Sequence, residues 1–235
     1  MHRRDVSWLG RDFVELSAEA SAGDDAGQEY ASLLERFDDE LRRDGHSLAD
    51  TVRTRLWARD RDSRDRASVE RRRILAGPAR SASSSYISPV HFHGDGRVAV
   101  DLLAMVGPAA AAVKHVVEYD PPIAPIRYLV RDGVVVLSGV TSVAPTLERQ
   151  LDEILPRIEG SLREAGAGWD RVARMSCYLH RSQTVIALRR ALADRLQAAI
   201  PDTEVELVSG FSAPGKLCEV EVTATVDPRT APPAA

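Results

Sequence analysis

The sequence predicts an α+β protein made of two copies of one unit, each a mixed β-sheet with two helices packed on one face. The first observation behind this prediction is a repeat, since similar segments recur along the 235-residue chain at spacings of 121, 120 and 118 residues. The second is that each half holds two helical stretches between short apolar strands. Spacings that drift by only a few residues are typical of copies whose loops differ in length, so we interpret the chain as a duplication.

Each copy opens with a predicted β-hairpin. The two segments are WLGRDFVELSA, residues 8–18, and LVRDGVVVLSG, residues 129–139. Both place Gly, Arg and Asp at a turn between two runs of strand-forming residues, and both end in Leu-Ser followed by a small residue. Leu16 of the first copy therefore matches Leu137 of the second.

A first amphipathic helix follows in each copy. Apolar residues recur at helical spacing and form one stripe per helix. The stripes are Tyr30, Leu33, Leu34, Phe37 and Leu41 in the first copy, and Leu147, Leu151, Ile154, Leu155, Ile158 and Leu162 in the second. Each helix is predicted to end at a glycine, Gly45 or Gly166, because glycine readily adopts the backbone conformation that closes a helix.

The remaining elements repeat in the same order. A strand begins near Asp50 in the first copy and near Asp170 in the second, and a second helix then covers about residues 65–75 or 184–199. A closing strand ends each copy, with room for one further strand before it.

Domain boundaries follow from this repeat. We expect one domain at residues 1–106 and a second at residues 125–228. Residues 107–124 are expected to form a linker, and residues 229–235 a disordered tail.

Composition and charge argue against several classes of protein. Hydrophobic residues make up 44% of the chain, charged residues 28%, and the formal net charge is −4, whereas nucleic-acid-binding and membrane-surface proteins usually carry a basic excess. The densest charged run, residues 53–73, interleaves arginines with acids and predicts a solvated, self-paired surface. The longest weakly polar run, residues 102–113, is too short to cross a bilayer. We therefore expect a soluble, cytoplasmic protein that binds neither nucleic acid nor membrane.

Cysteine and histidine usage indicates neither a disulfide framework nor a metal site. The two cysteines, Cys177 and Cys218, lie in apolar strands, where a buried structural role is the usual one. The segment HFHGDG, residues 91–96, offers two histidines on one strand face, but Gly-Asp-Gly is typical of a hairpin turn. We expect a plain hairpin there, with no metal and no cofactor.

The second half contains a hairpin ending VLSG, the stretch LREAGAGWDRVARMSCYL and the closing PGKLCEVEVTAT. Through these segments it resembles the YjgF/RidA family of enamine and imine deaminases along nearly all of its length. The first half matches more loosely, through ELSAE, GHSLADTVRTRLWA, GPARSAS and VAVDLLAM. The resemblance implies two tandem RidA-like (chorismate-mutase-like) domains, a homotrimer, and ligand clefts between neighbouring domains. It also implies hydrolysis of reactive imines or enamines derived from amino acids, without metal or cofactor.

The resemblance further implies roles for particular residues. The arginine of the family that binds the substrate carboxylate falls on Arg80, in GPARS. The glutamate in the closing strand, which positions or activates water, falls on Asp101 in the first half and on Glu219 in the second. In the second half, the position that corresponds to this arginine falls at about Thr203. Only the first half therefore keeps the arginine that would bind the substrate carboxylate.

The substrate pocket implied by the resemblance has further members and some departures. We expect Ser81, Tyr86 and Ser138 to line it. The hairpin tyrosine of the family is not matched in APIRY, where Pro125 lies closest, and its helix asparagine is absent because the chain contains no asparagine.

The residue types suit this chemistry. An arginine offers a planar fork of donors that pairs a carboxylate at two points. The alternation of the closing strands leaves Asp101 and Glu219 opposite their apolar neighbours, where burial raises the pKa of an acid unless a cation is near. Such an acid accepts a proton from water and returns it to a leaving amine. Glu221 shares the face of Glu219, which leaves open that one of the two is simply solvated.

The reaction that the resemblance implies by default is hydrolysis of an imine or enamine of a carboxylate-bearing metabolite to a ketone or keto acid plus ammonia. Two other functions stay open. Chorismatases also join two domains of this fold in one chain and act on a cyclic dicarboxylate, although this chain is shorter than they usually are. The third possibility is a ligand-binding or assembly module without catalysis. Fold alone does not choose among the three.

Overall fold

The computed structural model describes residues 1–196 and 203–227, which form two β-sheets and four α-helices. The first sheet has the strand order β1-β2-β5-β3-β4, in which only the β3–β4 pair is parallel. Its strands are β1 (His2–Trp8), β2 (Arg11–Glu19), β3 (Thr51–Ala58), β4 (Ala82–Ile87) and β5 (Val98–Val106).

The second sheet repeats this arrangement. Its strands are β6 (His115–Val117), β7 (Tyr128–Arg131), β8 (Val134–Leu137), β9 (Val140–Thr141), β10 (Val172–His180), β11 (Thr203–Val208) and β12 (Cys218–Thr225). The order is β11-β10-β12-β8-β7-β6, with β9 also paired to β12 and with β10–β11 parallel. In both sheets the closing strand, β5 or β12, lies between the second hairpin strand and the strand that follows the first helix. The predicted α+β repeat is therefore confirmed, including the further strand, β4 or β11, before the last.

The helices are α1 (Ala26–Arg42), α2 (Arg61–Ile74), α3 (Leu147–Glu164) and α4 (Val185–Leu196). The predicted apolar stripes of α1 and α3 are buried. Asp25 begins α1 by accepting a hydrogen bond from the backbone N–H of Gln28 at 2.9 Å, which satisfies a donor that the first helical turn leaves free. The predicted end of α4, the domain boundary at 228 and the tail at 229–235 lie outside the described residues.

The two sheets pack face to face, with α1 and α2 outside the first sheet and α3 and α4 outside the second. Alternation along each closing strand explains this layering. On β5 and β12 the apolar residues Val100 and Val220 face the helices, so that the intervening residues face the other half. The layer between the sheets contains apolar groups from both halves, among them Phe13, Met105 and Leu129.

Two predictions about the connecting segments need revision. Residues 115–117, within the predicted linker, form β6 and pair with β7. The predicted hairpin at residues 91–96 is wrong, because β3 separates β4 from β5 in the sheet and the segment between them is a loop. In this loop His91 stacks on the Trp57 ring at a centroid distance of 4.1 Å.

The charged run at residues 53–73 is only partly solvated. On α2 the pair of Arg66 and Asp62, 2.8 Å apart, is exposed as predicted. The prediction is wrong for β3, where Arg53 and Arg55 lie on the inner face of the sheet, and for Arg71 of α2, which is buried. A strand alternates its faces whatever the charge of its residues, so every second residue of β3 points inward, and Arg53 and Arg55 are two positions apart.

Both cysteines are free and buried, as predicted. Among residues 1–196 and 203–227, no group of three or more His, Cys, Asp or Glu side chains is placed to hold a metal ion. None of the helices in this part of the chain combines the length and the apolar character that crossing a bilayer requires.

Candidate functional site

A cavity of about 400 Å³ lies between the two halves, with walls from both. The first half contributes Arg64 and Arg71 of α2 and the serines of β4 at positions 83–85. The second half contributes β9, Arg157 of α3, and Lys216 in the loop before β12, and Glu219 of β12 lies among them. The volume is within the range typical of small-molecule sites. We call it the main cavity.

The carboxyl group of Glu219 occupies a narrow, buried space. It is 4% exposed and pairs with Thr141 of β9 across the sheet. A Cβ atom on Gly139, at the end of the second hairpin, would lie 1.9 Å from Glu219 Oε1. The Leu-Ser-Gly ending of this hairpin therefore leaves the space that the carboxyl group of Glu219 occupies.

Burial raises the pKa of Glu219 to about 7, although Lys216 and Arg64 act in the opposite direction. The nearby carboxylate of Glu221 adds to the increase. At neutral pH this acid is therefore close to half protonated, so it can both give and accept a proton.

Glu221, two residues further along β12, is also buried but has the opposite protonation behaviour. Burial favours its neutral form, yet the guanidinium groups of Arg55 and Arg53 lower its pKa to about 2. Arg55 Nη2 donates to its carboxylate at 2.7 Å and the Tyr86 hydroxyl donates at 2.8 Å. The Ser84 hydroxyl donates to it as well. Neither glutamate is solvated, and two acids on one strand face differ in charge because only one has close arginine partners.

Two of the four cations at the main cavity form no ion pair within the described residues. Arg64 pairs with Asp65 at 2.7 Å, and Arg157 pairs with Glu153 at 3.3 Å. Arg71 is buried and donates to the Ser84 carbonyl at 2.6 Å.

The remaining cation, Lys216, donates to the Ser212 hydroxyl at 2.5 Å. Burial lowers the pKa of both Arg71 and Lys216, although the carboxyl group of Glu219 acts in the opposite direction on each. The main cavity thus combines two positively charged groups that form no ion pair within the described residues with one acid of near-neutral pKa.

The structure does not bring Arg80 into the lining of the main cavity. Its guanidinium fork is already engaged by a carboxylate of the chain, since Nε and Nη2 donate to Glu118 at 2.7 and 2.8 Å. It also donates to the carbonyl groups of Ile123 and Ala124, which line the main cavity. In this arrangement Arg80 fastens one wall of the cavity.

None of the other predicted pocket residues, Ser81, Tyr86 and Ser138, is among the residues that line the main cavity. Tyr86 is buried, donates to Glu221, and stacks on Tyr178 at 3.9 Å. The Ser138 hydroxyl accepts a hydrogen bond from the backbone N–H of Ser83 at 3.0 Å and so joins the two halves. The buried Ser81 hydroxyl has no hydrogen-bond partner among the described residues.

Asp101 and Glu219 are not brought together. Asp101 accepts a hydrogen bond from Trp57 Nε1 at 2.7 Å and lines a different cavity, of about 250 Å³, on the inner face of the first sheet. The duplicated acid therefore occupies two different environments.

Sequence reasoning missed most of the charged lining of the main cavity. Arg64 and Arg71 lie in the run that was predicted to be solvated, and Tyr119 lies in the predicted linker. The seven-residue spacing of Arg64 and Arg71 places both on one side of α2. That spacing is a signal, but it does not indicate which side faces the other half.

These features define the class of protein: a tandem α+β chain with a cationic, acid-containing cavity between its halves. The fold is that of a solved chorismatase, which has a TM-score of 0.67 and 16% identity over 94% of this chain and 79% of that one.

Two shorter structures match about half of the chain. A YjgF-family protein from Mycobacterium tuberculosis has 26% identity over 48% of this chain and all of its own, with a TM-score of 0.43. A Rid-family protein from Yersinia pestis has 23% identity over the same shares, with a TM-score of 0.44. No protein-family model matches the sequence, and no curated protein sequence matches it. The predicted resemblance is thus confirmed as a likeness of fold.

Proposed function

We propose that this protein is a cofactor-free hydrolase of a small dicarboxylate that bears an acid-labile bond, with Glu219 as the general acid. The observation that carries the proposal is the buried carboxyl group of Glu219, whose pKa is raised to about 7 in a cavity with cations on both sides. A general acid works best when its pKa lies near the working pH.

The charges of the main cavity support a substrate with two anionic groups. Arg71 and Lys216 form no ion pair in the described residues, so each can pair with one carboxylate of the substrate. An arginine and a carboxylate pair at two points, which fixes the orientation of the substrate as well as its charge. A bound anion also offsets the effect of the cations on Glu219, so we expect its pKa to rise further when substrate binds.

Chorismate is the dicarboxylate that we propose to test first, since a solved structure that matches both halves is a chorismatase. Its enolpyruvyl ether is cleaved by acid. Glu219 would protonate the methylene carbon, water would add to the resulting cation, and the hemiketal would collapse to pyruvate and the ring alcohol. One water is consumed and the proton returns to Glu219, so no cofactor is required.

The test is incubation with chorismate, followed by loss of its absorbance and by pyruvate release. We expect Glu219→Gln to lower kcat by at least about 100-fold, the usual scale of general acid catalysis, with little change in KM. Arg71→Gln should instead raise KM. Pyruvate release that survives Glu219→Gln unchanged would exclude Glu219 as the acid.

Hydrolysis of an imine or enamine is the second candidate, because Glu219 is, with Asp101, one of the two residues to which the family resemblance assigns water activation. Its substrates carry one carboxylate and need only one of the two free cations. Incubation with the products of an amino-acid oxidase, followed by ammonia release, distinguishes this reaction from the first. If neither substrate is turned over while chorismate still raises the Tm, the protein is a binding module and both enzymatic proposals fail.

Assembly and location form part of the same proposal. We propose a cytoplasmic homotrimer, by analogy with the family that the chain resembles. Both halves of one chain contribute walls to the main cavity, and we propose that no second copy completes it, so specific activity should be independent of protein concentration. Light scattering across a dilution series measures the oligomeric state alongside this activity.

A further inference from the structure

Glu219 and Glu221 lie on the same face of β12, because the side chains of a strand alternate and the two residues are two positions apart. They pair across the sheet with Tyr178 and Ser176 of β10. Both side chains are buried, and residues at this spacing have Cα atoms roughly 7 Å apart. The proposed function makes Glu219 the general acid but gives no role to Glu221.

Two arginines of β3 point at this face of β12, and both are bound to Glu221. Arg55 donates to the Glu221 carboxylate from Nε at 3.0 Å and from Nη2 at 2.7 Å. The Nε of Arg53 lies 3.6 Å from the same carboxylate, and its Nη2 donates to the Val222 carbonyl and to the Thr223 hydroxyl. Glu221 is therefore the carboxylate on which both guanidinium groups converge.

Glu219 has charged groups on all sides, but within the described residues it forms no ion pair. The titratable and charged side chains around it are Lys216, Arg64, Arg71, Arg157, Tyr86, Tyr119, Tyr178 and Glu221. The four cations of this set pair with other acids or donate to serine oxygens. The two arginines of β3 are the remaining cations at this face, and Glu221 binds them.

This arrangement matters because a buried guanidinium group without a counterion is costly. If the charge of Glu221 were absent, the next carboxyl group along the same face of β12 would be that of Glu219. A guanidinium group beside an acid lowers the pKa of that acid by about 1 to 3 pH units. Glu219 would then be ionised at neutral pH and could no longer protonate a substrate.

We propose that Glu221 is a positioning residue for the general acid, a role that rests on the proposed function. Its carboxylate binds the guanidinium groups of Arg55 and Arg53, and this keeps Glu219 free of an ion pair and able to carry a proton. The hydroxyl groups of Ser84 and Tyr86 both donate to Glu221 and hold it in this position. One acid of β12 thus binds the cations, and the other carries the proton.

The experiment is the pH profile of chorismate turnover in the wild type, Glu221→Gln and Glu221→Asp. Turnover by a general acid falls as pH rises through the pKa of the acid. In Glu221→Gln this fall should move to lower pH by at least about one pH unit, which is about a tenfold further loss of kcat/KM at pH 8. Glu221→Asp disturbs the same packing but keeps the charge, so its profile should stay within about half a pH unit of the wild type.

Stability is controlled in the same series, because Glu221→Gln leaves two arginines unpaired. All proteins are assayed in sucrose, which favours the folded state, after circular dichroism has verified the fold. The double variant Arg55→Met/Glu221→Gln replaces the buried pair with neutral side chains, a change that proteins often tolerate. It leaves Arg53 without the Glu221 carboxylate, so its profile should also lie at lower pH than that of Glu221→Asp.

A measurement without substrate separates this inference from the proposed function. The protonated carboxyl group of Glu219 gives an infrared C=O band that Glu219→Gln lacks, and the loss of this band with rising pH reports its pKa. If chorismate is not turned over but the band is lost at lower pH in Glu221→Gln alone, the proposed function fails and Glu221 still keeps Glu219 protonated. If chorismate is turned over with the same profile in all variants, or with equal displacement in Glu221→Gln and Glu221→Asp, this inference is overturned and the proposed function stands.

Discussion

The carboxyl group of Glu219 carries a proton more readily in the folded chain than in the unfolded one. Its pKa is about 7 in the folded protein against an ordinary value of 4.5, because burial disfavours the charged form. A raised pKa of this kind means that stability is fully present below pH 4.5 and is lost as pH rises through 7.

We therefore predict that Glu219→Gln changes the pH dependence of stability. Between pH 5 and pH 8 the free energy of unfolding of the wild type should fall relative to the variant, by up to about 3 kcal/mol. Urea unfolding of both proteins at the two pH values measures this difference. If the free energy of unfolding changed with pH in the same way in the wild type and the variant, this would show that Glu219 is not protonated at its site.

Gly139 is a second single position that decides the geometry of the site. Any Cβ there meets the Glu219 carboxyl group, which is the movable end of a side chain rather than fixed backbone. We predict that Gly139→Ala displaces this group and lowers turnover at least about tenfold, since a misplaced general acid loses most of its effect. Gly160→Ala, on α3 with open space around it, is the matched control and should retain activity. A variant at 139 with full activity would contradict the proposed position of the acid.

At the scale of elements, β3 and β12 are joined across the sheets by a buried ion pair. Glu221 is almost completely buried and pairs with Arg55, while Arg53 lies 3.6 Å away. We predict that Glu221→Gln destabilises the protein by about 3 to 5 kcal/mol, because it leaves two guanidinium groups buried without a counterion. Chemical denaturation measures the loss.

The control for this element is Asp62→Asn, which breaks the exposed pair with Arg66 on α2. An exposed pair contributes at most about 1 kcal/mol, so this variant should be nearly as stable as the wild type. Equal losses in the two variants would show that the contact between β3 and β12 does not depend on this charge pair.

At the scale of the whole molecule, the two halves bury one apolar layer between them. Phe13, Trp57 and Tyr86 of the first half are at most 1% exposed, and they pack in clusters that include residues of the second half. We predict that a fragment of residues 1–112 exposes this face and self-associates, since large apolar patches drive aggregation. Size-exclusion chromatography and dye binding, with the full chain as reference, test this. A monomeric fragment with a cooperative melt would show that the halves fold independently.

Much of the fold could be predicted because its signals are local. The stripes of α1 and α3 and the alternation of β5 and β12 each depend on residues within one element. Glu219 could be found for the same reason, since an acid within an apolar strand stands out. The partners of Arg80 could not, because Glu118 lies 38 residues away and reaches it only in the folded chain.

A comparison of the two copies shows which properties of the site cannot be predicted from neighbouring residues in the sequence. Ser17 and Asp101 pair across β2 and β5, and the hairpin of the first half ends in Ala18 where the second half has Gly139. In the first half the shorter acid, Asp101, lies near the larger residue, Ala18. In the second half the longer acid, Glu219, lies beside Gly139. The sequence shows both pairs, but it does not show that one acid faces Arg71 and Lys216 while the other faces Arg53 and Arg174.

The sequence by itself determined that the chain folds as two α+β units with an acidic residue among the apolar residues of each closing strand, because hydrophobic periodicity and turn residues act within a few positions. Only the tertiary structure decided which charges surround each acid. The two sheets meet face to face, and contacts across that layer join residues more than 100 positions apart, such as Arg55 with Glu221. Desolvation and Coulomb interactions depend on distance in space, so the pKa values of Glu219 and Glu221 diverge only once the layer has formed.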